Sequence, residues 1–589
     1  MADYSNTIKI KKNCCGEEVE VIYRKLPPRP QKGSMSQKAR EEGRPAIFLA
    51  DGFGDYPEIN PRTYEAAPGI ICMQDVMIPM RDGTKTYCDI YLPEGEKKVP
   101  CILVYSFYGK RPCAEEDDVT YYAVGVPEGS TSRFCKFEGP DPLYWCHQGY
   151  AIANYDHRGV GNSEGNIAMA IDEEGYDAYD AIEFLAAQGW CNGNVGMSGN
   201  SGLAAIQWKA ASKNPPHLKA IAPWEGLTDT YRELINQGGI TECGFNPYLT
   251  KTLFGPGYME DYYLMSLEHP YFDEYWEDKC PKCEDITIPA YVTGGWNHFH
   301  LRGSVGGWRR INTDKKWIRI HREFEWPDQY MSENLEDLQK FFDRYLKEIR
   351  NGWEATPKVR VDIMDRYAQD YVVRRGISDF PHPDTTYQKL YLNAEDGSMS
   401  PEQAAEEATV SYDGKTGRAY FSYQFEEETL LLGYSKLRLW VEADGSDDMD
   451  LFVALQKTDE QGNWLPACVL DKPHPGAAGR LRVSLRELDE ERSSDIQPVP
   501  KFNNPKKLQK GEIVPVDIEI WPHGRIFHKG EKIRIEVMGH YERIGWFEPF
   551  DYHYQNEGTC ILHTGGKYES VLQIPIVPLD VIKGDYIKK

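Results

Sequence analysis

The stretch VPCILVYSFYG, residues 99–109, is an almost unbroken apolar run, the pattern of a strand buried on both faces. Before it, MIPMRDGTKTYCDIYLP alternates on either side of an Asp-Gly pair and predicts a hairpin beginning at Met77. After it, GYAIANYDHRGVGNSEG is another apolar run that ends in a glycine-rich loop. DAYDAIEFLAAQGW spaces its apolar residues for a helix, GNVGM reads as a strand, and LAAIQWKAAS returns to helical spacing. LKAIAPWEG, IPAYVTGGW and KWIRIH predict three more buried strands. Strands alternating with helices imply a mostly parallel α/β sheet over residues 76–225 and 286–356. Residues 226–285 interrupt it with an aromatic-rich, mainly helical insertion, expected to cap the carboxyl ends of the strands. From residue 357 to 589, short alternating strands such as KVRVDIM, KLRLWVEADG and KIRIEVM predict an all-β jelly-roll sandwich. Residues 1–75 read as an irregular extension with one alternating strand, EEVEVIYRKL.

The chain has 589 residues, enough for several domains. Its net charge of −25 argues against nucleic acid or an anionic membrane as partner. The N-terminal segment lacks the apolar core of a secretory signal, and no apolar run reaches the ~18 residues of a membrane span. The 14 cysteines follow no repeating spacing, which suits reduced thiols and a cytoplasmic protein. Cys14–Cys15 and the Cys280/Cys283 pair have no partner pair at zinc-site spacing, so no metal or cofactor is expected. A homo-oligomer remains open.

The segment NGNVGMSGNSGLAAIQW, residues 192–208, surrounds two serines with small residues. A nucleophilic serine on a strand-to-helix elbow needs small neighbours because strand and helix nearly touch there. Ser201 has Gly199 before it and Gly202 and Ala204 after it. Ser198 also fits the G-x-S pattern but has the bulkier Asn200 at the matching place, so the pattern favours Ser201 of the two.

At this point the chain resembles the cocaine-esterase and X-Pro dipeptidyl-peptidase group of serine hydrolases, which join an α/β-hydrolase domain, a helical cap and a C-terminal jelly roll. The resemblance rests on IPMRDGTKTYCDIYLP, YDHRGVGNSEG, the elbow with its Gln207–Trp208, IAPWEGLTDTYRE, HPYFDEYW, GGW, GRLRVSLRELD and VDIEIWPHGRIFHKGEKIRIEV. It implies Ser201 as nucleophile. Gly202 stands where the family usually has Tyr, and its backbone N–H is implied as one oxyanion donor. Tyr108 of YSFYGK resembles the second donor. Asp156 and Arg158 are expected to pair and hold their loop.

The remaining triad positions depart from the family. The family's acid place, two residues after the Trp of GGW, holds His298, and a gapless count puts Glu325 at the family's histidine place. A serine needs an imidazole to take its proton and a carboxylate to balance the imidazolium. An exchange of roles between the two loops would restore both: His298 or His300 as base, Glu325 or Glu323 as acid, with an FHLRG resemblance tilting toward His300. Two alternatives stand beside it: His321 as base with an acid from elsewhere, or a damaged triad in a weak or silent hydrolase-like binding protein. The expected substrate is a small-molecule ester or amide. The aromatics Trp224, Tyr231, Phe245, Tyr248, Tyr262 and Tyr263 are candidates for an apolar acyl pocket, and Glu225 or Asp229 for receiving a substrate ammonium.

Overall fold

The computed structural model describes residues 3–30, 53–54, 58–95, 98–111, 125–127, 129–253, 255–470, 472–541 and 550–583. Of the N-terminal extension, residues 1–2, 31–52 and 55–57 therefore lie outside the described residues. The apolar runs become the centre of one mixed sheet. Val99–Ser106 and Ala151–Asp156 are buried at every position and pair in parallel. Cys191–Asn200, Leu218–Trp224, Ala290–Gly295 and Lys316–His321 continue the sheet, each parallel to the last. On the other side the Asp-Gly hairpin, Ile70–Pro79 with Lys85–Pro93, adds antiparallel strands.

The helices follow from the 3.6-residue spacing read in the sequence. Asp172–Ala186 places Asp172, Glu173 and Glu174 in its first turn, where the helix dipole favours anions. It buries Ala178, Ala181, Ile182 and Leu185 against the sheet. Gly202–Ser212 follows the strand Cys191–Asn200 across Ser201 and buries Trp208 completely.

The pairings around the two ends of the hydrolase sheet add detail that the pattern along the chain did not carry. The extension is not irregular up to residue 75, because Arg62–Ala67 and Ile70–Pro79 are already strands of the main sheet. Its earlier hairpin, Thr7–Cys14 with Glu17–Lys25, pairs with Tyr258–Glu260 of the insertion, so the N-terminal segment braces the cap. The first two strands after residue 357 pair with the hydrolase sheet. Val359–Met364 runs parallel to Lys316–His321 and Asp370–Ile377 pairs back on it, so both finish the hydrolase sheet. An alternating apolar strand can serve either sheet, and only packing decides which.

Beyond residue 377, long antiparallel strands build the sandwich. Thr429–Asp444 pairs with Val514–Phe527, Thr559–Thr564 and Val571–Val577. Asp450–Thr458 pairs with Lys532–Met538. Leu437, Leu439, Val441, Ile535 and Val537 fill the space between the layers. Met364 bridges to Arg525, and Leu430, Leu432, Tyr434 and Ile526 share an apolar core with the hydrolase strands. Among the described residues no helix is long and apolar enough to cross a membrane.

Candidate active site

Ser201 sits between the strand Cys191–Asn200 and the helix Gly202–Ser212 with φ 57° and ψ −118°. A serine rarely holds such a backbone, a strain of about 1–3 kcal/mol that the surroundings must enforce. They do so from several sides. The Ser201 N–H donates to the carbonyls of Trp224 and Glu225 at 3.2 and 3.1 Å. Gln207 donates to the Gly199 carbonyl at 3.3 Å and accepts the Ala222 N–H at 3.0 Å, stitching strand, helix and next strand together. Small neighbours are required by contact: a Cβ on Gly199 would lie 2.7 Å from Leu203, and one on Gly202 2.1 Å from the Phe107 ring. Ser198 is buried within the strand below the turn.

His300 brings Nε2 to 3.1 Å from Ser201 Oγ. Its ring stacks on that of His298 with centroids 4.8 Å apart, and Phe299 covers it at 4.0 Å. Glu325 opens a short helix, Glu325–Tyr330, and turns its carboxylate to both rings: Oε1 lies 3.5 Å from His298 Nε2, and Oε2 3.9 Å from His300 Nε2. The acid therefore faces the same ring edge of His300 that faces the serine. Nδ1 of His300 is buried without a hydrogen-bond partner among the described residues. Burial, with His298 beside it, holds His300 well below the ordinary histidine range. Burial and the neighbouring Glu225 push Glu325 well above the ordinary carboxylate range. The resting dyad is thus biased toward its uncharged forms.

Behind it runs an alternating series of acids and bases that sequence reading did not foresee. The backbone N–H of His300 donates to His298 Nδ1 at 3.3 Å, leaving His298 Nε2 to carry the proton toward Glu325. Glu225, held at φ 56°, lies 3.6 Å from His298 Nδ1 and 3.0 Å from His321 Nε2. Asp328 follows at 3.5 Å from His321, and Arg319 clamps Asp328 with two 2.6 Å bonds. Although burial opposes its charge, the hydrogen bond and charge of His321 draw Glu225 below its usual value. His321 is drawn upward, against the cost of its burial, by Asp328 and Glu225.

The remaining candidates fall into place as follows. His321 faces Glu225 and Asp328, while His300 takes the place beside the serine. Glu323 is not at the site: its carboxylate pairs with Arg322 at 2.5 Å and is 40% exposed. Tyr108 lies beside the Ser201 hydroxyl, and its own hydroxyl stays protonated because burial raises it well above the usual phenol value. Gly202 begins the helix, with its N–H in the unbonded first turn.

Asp156 and Arg158 do not pair with each other. Asp156 holds Lys110 at 2.7 Å, and Arg158 clamps Asp177 and Asp82 at 2.6 and 2.8 Å. Both remain loop supports, but through partners distant in sequence. Asp229 pairs with Arg232 at 2.8 Å and Glu225 with His321, so each is already engaged where an ammonium would have to sit.

Of the aromatic candidates, Trp224, Tyr231 and Tyr262 are core residues. Tyr263 stacks on His553 with ring centroids 5.7 Å apart, and Tyr248 is half-buried. Phe245 packs against Phe299 and Phe550, with centroids 6.0 and 5.4 Å away. Phe550 belongs to the β domain, and no local signal in the sequence marks it.

His298, His300 and Glu325 offer ligand atoms within 4.8 Å of one another, compact enough for a divalent ion, but Nε2 of His300 is engaged by Ser201. A second compact group, Asp365, His528 and Glu531, already receives the Lys457 ammonium at 2.7 and 2.8 Å.

Residues 82–260 match the X-Pro dipeptidyl-peptidase (S15) family, and residues 351–573 match the X-Pro dipeptidyl-peptidase C-terminal non-catalytic domain. A cocaine esterase from Rhodococcus sp. (strain MB1 Bresler) is 24% identical over 85% of this chain and 98% of its own length. The crystal structure of a CocE/NonD family hydrolase from Staphylococcus aureus superposes with a TM-score of 0.81 at 37% identity, covering 86% of this chain and 94% of that one. An α-amino acid ester hydrolase shares the fold, with a TM-score of 0.62 at 17% identity over 88% of this chain and 99% of that one. With an α/β-hydrolase sheet, a cap, a jelly roll and a serine on a strained elbow, this chain belongs to the CocE/NonD family and is a serine hydrolase.

Proposed function

We propose that the protein hydrolyses a small-molecule ester or amide with an apolar acyl group, through an acyl-enzyme on Ser201. The observation that carries this reading is the 3.1 Å approach of His300 Nε2 to Ser201 Oγ on the strained elbow. As Oγ bonds to the carbonyl carbon, its proton passes to His300 Nε2. The carbonyl oxygen takes the negative charge and is met by the Gly202 N–H and the Tyr108 O–H, an oxyanion site of preorganised donors. Collapse expels the leaving group, which takes the proton from His300. Water then repeats the sequence and releases the acid.

Glu325 plays the acid's part from an unusual side. Both its carboxyl group and the proton arriving on His300 share the Nε2 edge, so Glu325, once ionised, balances the charge of the imidazolium rather than selecting a tautomer. His298 holds Glu325 from its other oxygen. Binding of the acyl group is assigned to the wall of Phe245, Phe299 and Phe550. The name of the cocaine esterase relative is consistent with an aromatic ester but does not choose between ester and amide.

A fluorophosphonate probe tests the reading. The protein should be labelled, Ser201→Ala should not, and labelling should track hydrolysis of p-nitrophenyl benzoate. An unlabelled wild-type protein would favour the rival reading of a silent hydrolase-like binding protein.

A further inference from the structure

Beneath the elbow lies a carboxyl group that the reaction as described does not use. Glu138 is 1% exposed and adopts φ 62°, a backbone rarely held by a residue with a side chain. Its carbonyl accepts the N–H of Asn200, the residue before the nucleophile, at 3.1 Å, and the side chain of Gln329 at 3.0 Å. Oε1 accepts the Trp326 indole N–H at 3.0 Å. The Tyr108 hydroxyl lies beside the same carboxyl and beside Ser201. Phe137, the residue before Glu138, wedges between Tyr108 and Trp326 with ring centroids 5.1 and 5.5 Å away.

The other oxygen, Oε2, is buried and receives no well-formed hydrogen bond among the described residues. For an ionised carboxylate that is expensive, because a buried acceptor with no donor keeps its full desolvation cost. As a neutral acid, Glu138 would carry its proton on Oε2 and have the Tyr108 oxygen as acceptor. The groups acting on it pull in two directions: the charge of Glu325 favours the neutral acid, the hydrogen bonds of Trp326 and Tyr108 favour the anion, and among the described residues no cation takes part. Burial first, then Glu325, raise Glu138 well above the ordinary carboxylate range.

The distinction matters because a phenol has one proton. Beside an ionised Glu138, Tyr108 would spend that proton on the carboxylate. Beside a neutral Glu138, it receives a hydrogen bond and keeps its own donor for the substrate. We propose that Glu138 is a positioning residue of the oxyanion site: standing as the neutral acid, it donates to the Tyr108 oxygen and leaves the Tyr108 O–H aimed at the oxygen of the attacked carbonyl. This rests on Tyr108 being an oxyanion donor. Hydrogen bonds in such a chain polarise one another, so the donor also strengthens.

The test is a double-mutant cycle read across pH, using the full-length protein and p-nitrophenyl benzoate. Tyr108→Phe should lower kcat by about 10²-fold, the usual cost of one oxyanion donor. Glu138→Ala should lower kcat about tenfold or more, with KM little changed. Combining the two should cost little beyond Tyr108→Phe, because Glu138 acts through Tyr108. Glu138→Gln, which stays neutral and keeps an N–H donor, should retain kcat near neutral pH. In wild type kcat should fall as pH rises through the raised value of Glu138, and Glu138→Gln should lack that alkaline fall.

If Tyr108→Phe leaves kcat unchanged, Tyr108 is not a donor and the reading beneath the proposal fails. If Tyr108→Phe is costly but the Glu138 effects are additive, or if Glu138→Gln keeps the alkaline fall, the donor stands and the role given to Glu138 is wrong. Glu138→Gln carries the test should the alanine variant not fold.

Discussion

The imidazoles of His298 and His300 stack 4.8 Å apart, and each turns its Nε2 toward one oxygen of Glu325, at 3.5 and 3.9 Å. His300 is the one placed against the serine, with Nε2 3.1 Å from Ser201 Oγ. His300→Ala should therefore abolish turnover, with kcat falling about 10⁴-fold or more, as Ser201→Ala should. His298→Ala should leave acyl-enzyme formation measurable and cost much less. Burst kinetics with an activated ester separates the two, and an equal loss in both variants would contradict this assignment.

Because Glu325 faces Nε2 rather than the Nδ1 of His300, its removal should not produce the roughly 10⁴-fold loss seen when an acid selects the tautomer. We expect Glu325→Gln to lower kcat ten- to a hundredfold, with KM nearly unchanged. Steady-state kinetics at several substrate concentrations decides it. A loss of 10⁴ would place the carboxylate at Nδ1 in the working enzyme.

As the proposed base His300 would act in its neutral form, and burial holds its proton affinity below the ordinary histidine range. Protonation, and with it the acid loss of activity, is therefore delayed as pH falls. The acid limb of kcat/KM should lie below pH ~6.5, the ordinary histidine value, and describe the His300–Glu325 pair rather than either residue alone. A limb at or above that value would mean that the base is more exposed to water than it is here.

Gly202 has no room for a side chain, since its Cβ would meet the Phe107 ring at 2.1 Å. Gly202→Ala should destabilise the fold by about 1–3 kcal/mol through overpacking and lower activity by shifting the elbow. In the Phe107→Ala background the same substitution should cost less, which thermal melts of the four proteins would reveal. Additive costs would locate the strain elsewhere.

Arg319 and Asp328 form a fully buried bidentate pair behind His321. Arg319→Met alone leaves Asp328 uncompensated and should cost about 3–5 kcal/mol, while Arg319→Met with Asp328→Leu should cost less than the single change. Urea unfolding measures both. A single variant as stable as wild type would mean that His321 alone compensates Asp328.

The local pattern favoured Ser201 over Ser198 because strand and helix meet within a few residues there and only small neighbours fit, and the family resemblance through Gln207–Trp208 pointed to the same serine. The buried parallel strands were equally legible, since apolar runs such as Val99–Ser106 can be satisfied only under cover on both faces. The pairing of Asp156 with Lys110, and of Arg158 with Asp177, was not legible from the DHRG motif. Charges choose partners by distance in space, and the nearest carboxylate in sequence was not the nearest in the fold.

What the sequence determined by itself was the order of elements and the strand-to-helix elbow crowded with small residues, because backbone sterics and side-chain periodicity act over a few residues. What only the tertiary structure decided was which histidine meets the serine, that Glu225, His321 and Asp328 stand behind the pair, that Glu138 lies beside Tyr108, and that Phe550 of the β domain reaches the site. Those relationships join residues tens to hundreds of positions apart. The sheet order brings them together, and exclusion of water then makes each charge and proton depend on its neighbours.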